Sequence, residues 1–210
     1  MLPKPLNFEI LGLLKERDGD LGDRGADQSD SAFLLAGSYE LNVSIFYQSN
    51  VKELIVFTAR TIASRTKPGE RRSVEQDQYT VHSFNRNGLC GLVFADKHYP
   101  SSFLVLREVL DKYEQTFGNS WRQLKADKQH AWPWLDEALK KFQDPVNVDK
   151  IQKITKDLDD TKVILHKTID SILDRGEKLD SLAQKSSDLS FKSREFYKVA
   201  RKTNQCCSLA

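Results

Sequence analysis

The feature that most constrains this chain is a heptad register in its last third. Counting from residue 151 in alternating steps of three and four gives a stripe of apolar layer positions: Ile151, Ile154, Leu158, Leu165, Ile172, Leu179, Leu182, Leu189, Phe196 and Ala200. Most positions between them are Lys, Asp, Glu, Gln or Ser. The register predicts one coiled-coil helix over residues 146–204, about 80 Å long and too long to fold back into a small domain.

This stripe is too weak to order by itself. Small polar residues such as Thr161 and Ser186 occupy several of its positions, and Arg175 puts a charge at its centre. Full burial of the large apolar layer residues stabilises by about 14–27 kcal/mol. Fixing the backbone costs about 1–2 kcal/mol for each of roughly 53 residues. We therefore expect the segment to be disordered alone and to order against other helices, whose glutamine side chains could satisfy Arg175.

The first two thirds of the chain have a mixed pattern. Short apolar or alternating runs predict strands, and 3.6-residue periodicity predicts helices. The predicted strands cover 6–14, 32–41, 79–84 and 89–95, and the helices cover 50–64, 103–117 and 134–142. Residues 15–31 are rich in Asp and Gly and are predicted to form a flexible loop. The sequence thus predicts an α+β domain over residues 1–143, built as a small sandwich.

Composition and motifs exclude several classes of function. The 32 basic and 30 acidic residues leave a formal charge of +2, which gives no global nucleic-acid footprint. The sequence has no apolar run of about 20 residues, no histidine or cysteine metal spacing, and no phosphate loop or nucleophile elbow. We therefore predict no enzyme activity, no cofactor and no small-molecule substrate. Three cysteines make no disulfide framework, which favours a cytosolic chain.

The tail at 205–210 carries a lipidation pattern. The last four residues, Cys207 to Ala210, fit a prenylation box whose terminal alanine favours farnesyl. Cys206 beside it is a candidate for palmitoyl or a second prenyl group. The preceding stretch 192–202 has a local charge of about +4, which anionic lipid attracts. One lipid chain anchors a protein marginally and two anchor it firmly, so the pair predicts a switch between cytosol and membrane.

Three segments carry a specific resemblance. VILHKTIDSILDRGEKLDSLAQKSSDL, with Arg175 at its centre, resembles the SNARE motif of an R-SNARE of the synaptobrevin class. VKELIVFTARTIASRT and YTVHSFNRNGLCGLVFADKHYP resemble parts of a longin domain, which has a profilin-like α-β-α sandwich fold. Together with the two C-terminal cysteines, these segments resemble the Ykt-six family of lipid-anchored longin R-SNAREs.

The resemblance implies a function in intracellular vesicle fusion, including ER–Golgi transport. It implies a parallel four-helix bundle with three Q-SNARE helices, in which Arg175 forms the central ionic layer. It also implies that the longin domain holds a closed state, by binding the SNARE segment or by sheltering the lipid in an apolar groove. We predict Phe57, Ile45 and Phe46 as groove residues. The expected localisation is a cycle between the cytosol and Golgi, vesicle, endosomal or vacuolar membranes.

An alternative function shares the lipid tail. A prenylated coiled-coil adaptor could tether a partner without driving fusion. The two hypotheses differ at Arg175, because a homodimeric adaptor tolerates Leu there, whereas a four-helix layer loses its match to three glutamines.

Overall fold

The computed structural model describes residues 8–16, 32–41, 43–76, 79–97, 99, 102–127, 131–144 and 162–207. Residues 17–31 of the predicted loop lie outside this part. So do the layer residues Ile151, Ile154 and Leu158, and residues 208–210 of the lipidation box. Domain boundaries near 143 and 146 remain a prediction.

One mixed sheet of six strands organises the described chain. The strands are β1 (Phe8–Glu16), β2 (Ala32–Tyr39), β3 (Arg71–Gln76), β4 (Tyr79–Arg86), β5 (Leu89–Asp96) and β6 (Val163–His166). Their order across the sheet is β2-β1-β5-β4-β3-β6. All neighbours are antiparallel except β6, which adds to the edge of the sheet parallel to β3.

The turn between β4 and β5 follows from its sequence. Asn87 and Gly88 both have positive φ, at 52° and 93°, as a two-residue hairpin turn requires. The Gly88 N–H donates to the Asn85 side-chain oxygen over 2.9 Å, which holds the turn closed. The Asn-Gly signal in the sequence therefore sets the register of the two central strands.

Helices cover both faces of the sheet. On one face lie α2 (Ser102–Phe117) and α3 (Pro133–Phe142), with a 3₁₀ turn at Ser120–Gln123 between them. They pack on the sheet through residues such as Val105, Leu110, Trp121 and Phe142. The opposite face carries α1 (Ile45–Ala63). It also carries the C-terminal segment, in which a 3₁₀ turn at Ile169–Ile172 precedes α4 (Leu179–Lys185) and α5 (Phe191–Cys207).

The α+β sandwich class is confirmed, with three differences in detail. Strand β3 was not predicted, because Arg71–Gln76 contains a single apolar side chain, Val74. Helix α1 begins at Ile45, five residues before the predicted start. The predicted continuous helix is not formed over 162–207, where a strand, a 3₁₀ turn and two helices are present instead. The layer residues find their apolar partner in the domain of the same chain, and burying them there removes the need for a straight helix.

Candidate functional site

The candidate site is the face of the domain on which the C-terminal segment 162–207 docks. Several of its layer residues are buried there, namely Ile172, Leu179, Leu182 and Leu189, and Ile169 and Ala183 are buried with them. They share one apolar cluster with domain residues that include Phe57 and Ile62 of α1 and Val74 of β3. The face that the heptad spacing reserves for other helices is thus covered by the chain's own domain.

Not every predicted layer position is buried. Leu165 lies in β6 with 77% of its surface exposed, because β6 pairs through its backbone at the sheet edge. Phe196 and Ala200 of α5 are half-buried. Ile169, which falls off the predicted register, is buried instead, since the 3₁₀ turn rotates it toward the domain. The apolar residues that the docked segment buries are therefore not the same set as the predicted heptad stripe.

Arg175 is exposed in the turn between the 3₁₀ turn and α4. The next residue, Gly176, has φ of +93°, a left-handed conformation that glycine adopts without strain. The backbone reverses here, so the predicted ionic layer faces solvent in this structure. Its role in a four-helix layer remains a prediction.

Two arginines, the buried Arg60 of α1 and the half-buried Arg65 of the loop that follows it, hold the segment by its carboxylates. Arg65 bonds Glu177 over 2.8 Å, and Arg60 lies 3.2 Å from Asp188. Arg60 also bonds Asp127 and the carbonyl of Ala32, which ties it to the domain. Burial alone raises the pKa of Glu177, but the hydrogen bonds from Arg65 and the Asp174 N–H, with the Arg65 charge, outweigh it and lower the pKa.

Helix α5 lies antiparallel to α1 and is bonded to it at its start. The Glu53 carboxylate accepts the Ser190 N–H over 2.8 Å, and the Asn50 oxygen accepts the Ser193 hydroxyl over 3.4 Å. Desolvation opposes ionisation of Glu53, but bonds from Ser190 and Ser193 prevail and lower its pKa. Further along, the Tyr47 and Phe196 rings lie 5.8 Å apart.

The segment is also bonded to itself across long stretches of sequence. Arg201 of α5 bonds Asp170 over 2.9 Å and also bonds Asp180. The Tyr197 hydroxyl donates to Asp180 over 3.1 Å. Desolvation is the main cause that raises the pKa of Tyr197 to about 12. These pairs close the far end of the segment over the domain.

A cavity of about 630 Å³ lies between α1, the sheet and the docked segment. Its apolar lining comes from both sides: Val51, Leu54, Ile55 and Phe57 of α1, Phe94 of β5, Leu179 of α4, and Tyr197 and Ala200 of α5. Polar side chains, including Thr58, Lys97 and Arg201, complete the lining. This size and lining are typical of a site for one apolar ligand.

The three predicted groove residues lie in two different environments. Phe57 is 1% exposed and lines the cavity, as a groove residue should. Ile45 and Phe46 do not line it, and they are 76% and 85% exposed. These two residues are exposed because α1 begins early, and residues 45–49 of the helix lie outside the part that packs on the domain. Burial of α1 begins at Asn50, which is half-buried. Their assignment to the groove is wrong for this structure.

Sequence reasoning missed the polar contacts of this face. Glu53, Arg60 and Arg65 are charged positions on and just after an amphipathic helix, and such positions ordinarily point to solvent. No spacing in the sequence distinguishes them from solvated residues. Among the described residues, no cluster of three potential metal ligands occurs, and no helix is long and apolar enough to cross a membrane.

Comparison with known proteins identifies the family to which this chain belongs. Residues 38–139 match a family model described as a Regulated-SNARE-like domain (Longin), and residues 150–209 match the Synaptobrevin model. The chain is 55% identical over 185 residues to the VAMP-like protein YKT61 of Arabidopsis thaliana, covering 87% of this chain and 93% of that protein. The chain belongs to the Ykt6 family of longin R-SNAREs.

Other relatives of this R-SNARE are spread across fungi. The Synaptobrevin homolog ykt6 of Schizosaccharomyces pombe is 43% identical over 171 residues, which cover 80% of this chain and 86% of that protein. The Synaptobrevin homolog YKT6 of Saccharomyces cerevisiae is 40% identical over 167 residues, covering 77% and 84% respectively. The R-SNARE acts in vesicle trafficking, and its family is not an enzyme family.

Proposed function

We propose that this R-SNARE drives membrane fusion by releasing segment 162–207 from the domain, so that residues 146–204 form a parallel bundle with three Q-SNARE helices. The observation that carries the proposal is the burial of Ile172, Leu179, Leu182 and Leu189 against the domain. These layer residues can be covered by the domain or by partner helices, but not by both. The domain therefore competes with the partners and keeps the chain closed until they bind.

The position of Arg175 supports this competition. A guanidinium has five donors and no acceptor, so its burial in a helical layer requires facing acceptors such as glutamine oxygens. In the docked arrangement Arg175 is exposed and needs none. The closed chain thus carries no cost for desolvating the Arg175 guanidinium. In a bundle, glutamines that face Arg175 offset this cost, whereas a layer without glutamines would leave it uncompensated.

Lipid attachment at Cys206 and Cys207 supplies the membrane anchor in this proposal. Helix α5 runs through Ala200, which lines the cavity, to Cys207. The seven residues that follow Ala200, up to Cys207, span about 10 Å of helix, and a lipid chain on Cys207 is long enough to reach back over this distance to the cavity. An apolar chain in the cavity would be hidden from membranes, and opening of the segment would release it. The first lipid gives marginal binding and a second on Cys206 gives firm binding.

The test uses the full chain and the isolated segment 145–205. We expect the segment alone to be disordered by far-UV circular dichroism and to become helical in a one-to-three complex with Q-SNARE helices. The full chain should assemble more slowly than the segment, and Arg175→Leu should weaken both complexes. A segment that forms a helical homodimer and ignores those partners would instead support the tethering adaptor.

Opening is tested by Phe57→Glu. A carboxylate at this buried position faces an apolar cavity, so the segment should leave the domain. We expect faster amide exchange over 162–207, faster assembly, and a larger membrane fraction of the lipidated chain. Phe191→Glu is the matched control, because Phe191 is 77% exposed and is not a layer residue. Retained protection of strands β4 and β5 shows that the domain still folds, and an unchanged membrane fraction would contradict the closed state.

A further inference from the structure

The first turn of α1 and Val43, two residues before it, expose a compact group of large apolar side chains. Ile45 and Phe46 are 76% and 85% exposed, and Val43 and Tyr47 are 40% and 51% exposed. We call these four residues the α1 tip. Residues 41–51 contain no charged side chain. Single exposed apolar residues are ordinary, but a cluster of this kind marks an interaction surface.

The α1 tip lies beside the middle of α5, whose last nine residues extend past the first residue of α1. The contacts Ser190–Glu53, Ser193–Asn50 and Phe196–Tyr47 each move three residues forward on α5 and three back on α1. The same register places Lys198 level with Ile45. Helix α5 continues to Cys207, about 13 Å past the first residue of α1. The exposed residue Val199 lies on this overhang.

We propose that the α1 tip is a membrane-inserting surface that enters the interfacial zone of a bilayer next to the lipids of the C-terminus. The inference rests on the proposed lipid attachment at Cys206 and Cys207. Helix α5 extends only about 13 Å past the first residue of α1, so while α5 stays on α1 and a lipid lies outside the cavity, one bilayer surface can receive both. A single lipid chain binds only marginally, and the tip supplies the second contact that firm binding needs.

The chemistry of the α1 tip fits lipid. Isoleucine and valine partition into the acyl boundary, and aromatic rings such as those of Phe46 and Tyr47 prefer the headgroup level. Of the exposed charged residues described on the same two helices, Lys198 is level with the tip and pairs with Glu195 over 2.7 Å, whereas Lys52 and Lys192 lie near Phe191 at the other end. Basic side chains near a bilayer are attracted to anionic headgroups. Helical peptides instead dock in hydrophobic grooves, whereas the tip side chains project from the start of one helix.

The experiment places an environment-sensitive fluorophore on the tip. In the full chain with Cys206→Ser and Cys207→Ser, Phe46→Cys is labelled, and a C-terminal histidine tag holds the protein on vesicles of phosphatidylcholine, phosphatidylserine and a nickel-chelating lipid. The tag keeps every variant at the surface, so the fluorophore reports insertion alone. Phe191→Cys is the matched control, since Phe191 is equally exposed but lies at the opposite end of α5.

We expect a blue-shifted emission and quenching by lipid-borne quenchers at position 46, and neither at position 191. In parallel, Ile45→Ser with Phe46→Ser should reduce flotation of the singly lipidated chain with protein-free vesicles by roughly tenfold or more. Phe191→Ser should leave flotation unchanged. Position 46 remaining in water, or equal flotation of the double variant, would overturn the proposal.

Two further outcomes separate this inference from its alternatives. If the double variant loses binding to cell membranes but keeps binding to protein-free vesicles, the tip binds a protein and the lipid proposal is overturned. Assembly with Q-SNARE helices should be equal in the double variant and the parent chain, because no tip residue is a layer residue. A failure of assembly in both chains would count against the proposed function, whereas insertion at position 46 would still stand.

Discussion

At the scale of single residues, the docked state depends on ion pairs that form only in one backbone conformation of the segment. Glu177 reaches Arg65 only because Gly176 reverses the backbone beside it. In a straight helix Glu177 lies off the apolar stripe, so a partner bundle does not use it. The Arg65–Glu177 pair therefore belongs to the closed chain alone, and it can be changed without touching a layer.

Charge reversal tests this pair. Arg65→Glu should open the segment, because two carboxylates then face each other in a partly buried site. Adding Glu177→Arg should close it again. Amide exchange over 162–207 measures the opening, and the isolated segment carrying Glu177→Arg is the control for assembly. Failure of the double change to restore protection would show that the pair does not hold the segment.

His82 gives the domain a dependence on pH. Its ring is largely buried, with Nδ1 2.8 Å from the Ser73 hydroxyl and an edge-to-face contact with Phe103, and burial lowers its pKa from 6.5 to about 4. Between these values the unfolded chain binds a proton that the folded chain does not, so stability falls as pH falls from 6.5 to 4. The loss is at most about 3 kcal/mol.

Urea unfolding of the full chain and His82→Gln at several pH values isolates this contribution. The parent should lose more free energy of unfolding than the variant between pH 6.5 and 4. Above pH 7 the slope of this free energy against pH should be the same for both proteins. Equal slopes throughout would mean that His82 is not the titrating group. His166→Gln is the comparison: desolvation and the Arg72 charge lower the pKa of His166 as well, but His166 is less buried, so its removal should change the slope less.

At the scale of elements, the same sequence supports two local structures. The stretch Val163–His166 continues the heptad stripe, yet its β-branched residues also suit the strand that adds to β3. Heptad spacing reports which side chains share a face and not which partner covers it. The domain strands β1, β2, β4 and β5 were predictable because their apolar or alternating runs are local, whereas docking of the segment depends on contacts more than 100 residues apart.

Gly176 is the position where the two local structures diverge. Alanine there disfavours the left-handed turn by about 1–2 kcal/mol. It favours a continuous helix by about 1 kcal/mol. Both effects act in the same direction, and a Cβ at this position meets no atom within 4 Å, so no clash confuses the result.

We therefore expect Gly176→Ala to raise the ratio of open to closed chain by roughly 5- to 30-fold through the left-handed penalty alone, because the open segment is disordered until partners bind and 1.4 kcal/mol is a factor of ten. Assembly rates with Q-SNARE helices measure the ratio. Gly118→Ala is the matched control, because it is also a left-handed glycine with open space around it but lies outside the segment. An effect of Gly118→Ala equal to that of Gly176→Ala would rule out a local switch.

At the scale of the whole molecule, the cavity is where the proposed lipid would meet the domain. Thr58 lines it from α1 and is not a layer residue, so Thr58→Trp can fill the space without altering the bundle. We expect the variant to lose the thermal stabilisation that a free isoprenoid alcohol gives the parent chain, because binding to the folded state alone stabilises it. When lipidated, it should shift toward membranes.

A lysine-to-alanine change outside the cavity, Lys140→Ala, serves as the control for this experiment. Equal stabilisation of Thr58→Trp and the parent by the alcohol would place the lipid elsewhere. The cavity itself was beyond sequence reasoning, because its walls come from α1, β5, α4 and α5 together. Of its wall residues, the sequence singled out Phe57 alone, from its place on the apolar face of α1, and its role as a groove residue stays a prediction.

The Arg201 contacts have a mechanical consequence. In one straight helix Arg201 would lie about 46 Å from Asp170 and about 31 Å from Asp180, so neither bond can survive there. If partner helices wind onto the segment from its amino-terminal end, Asp170 and Asp180 are drawn away while α5 still rests on α1. Arg201 is then pulled along with them until its bonds break, so winding at one end exerts tension on the end proposed to carry the lipids before any partner has reached it.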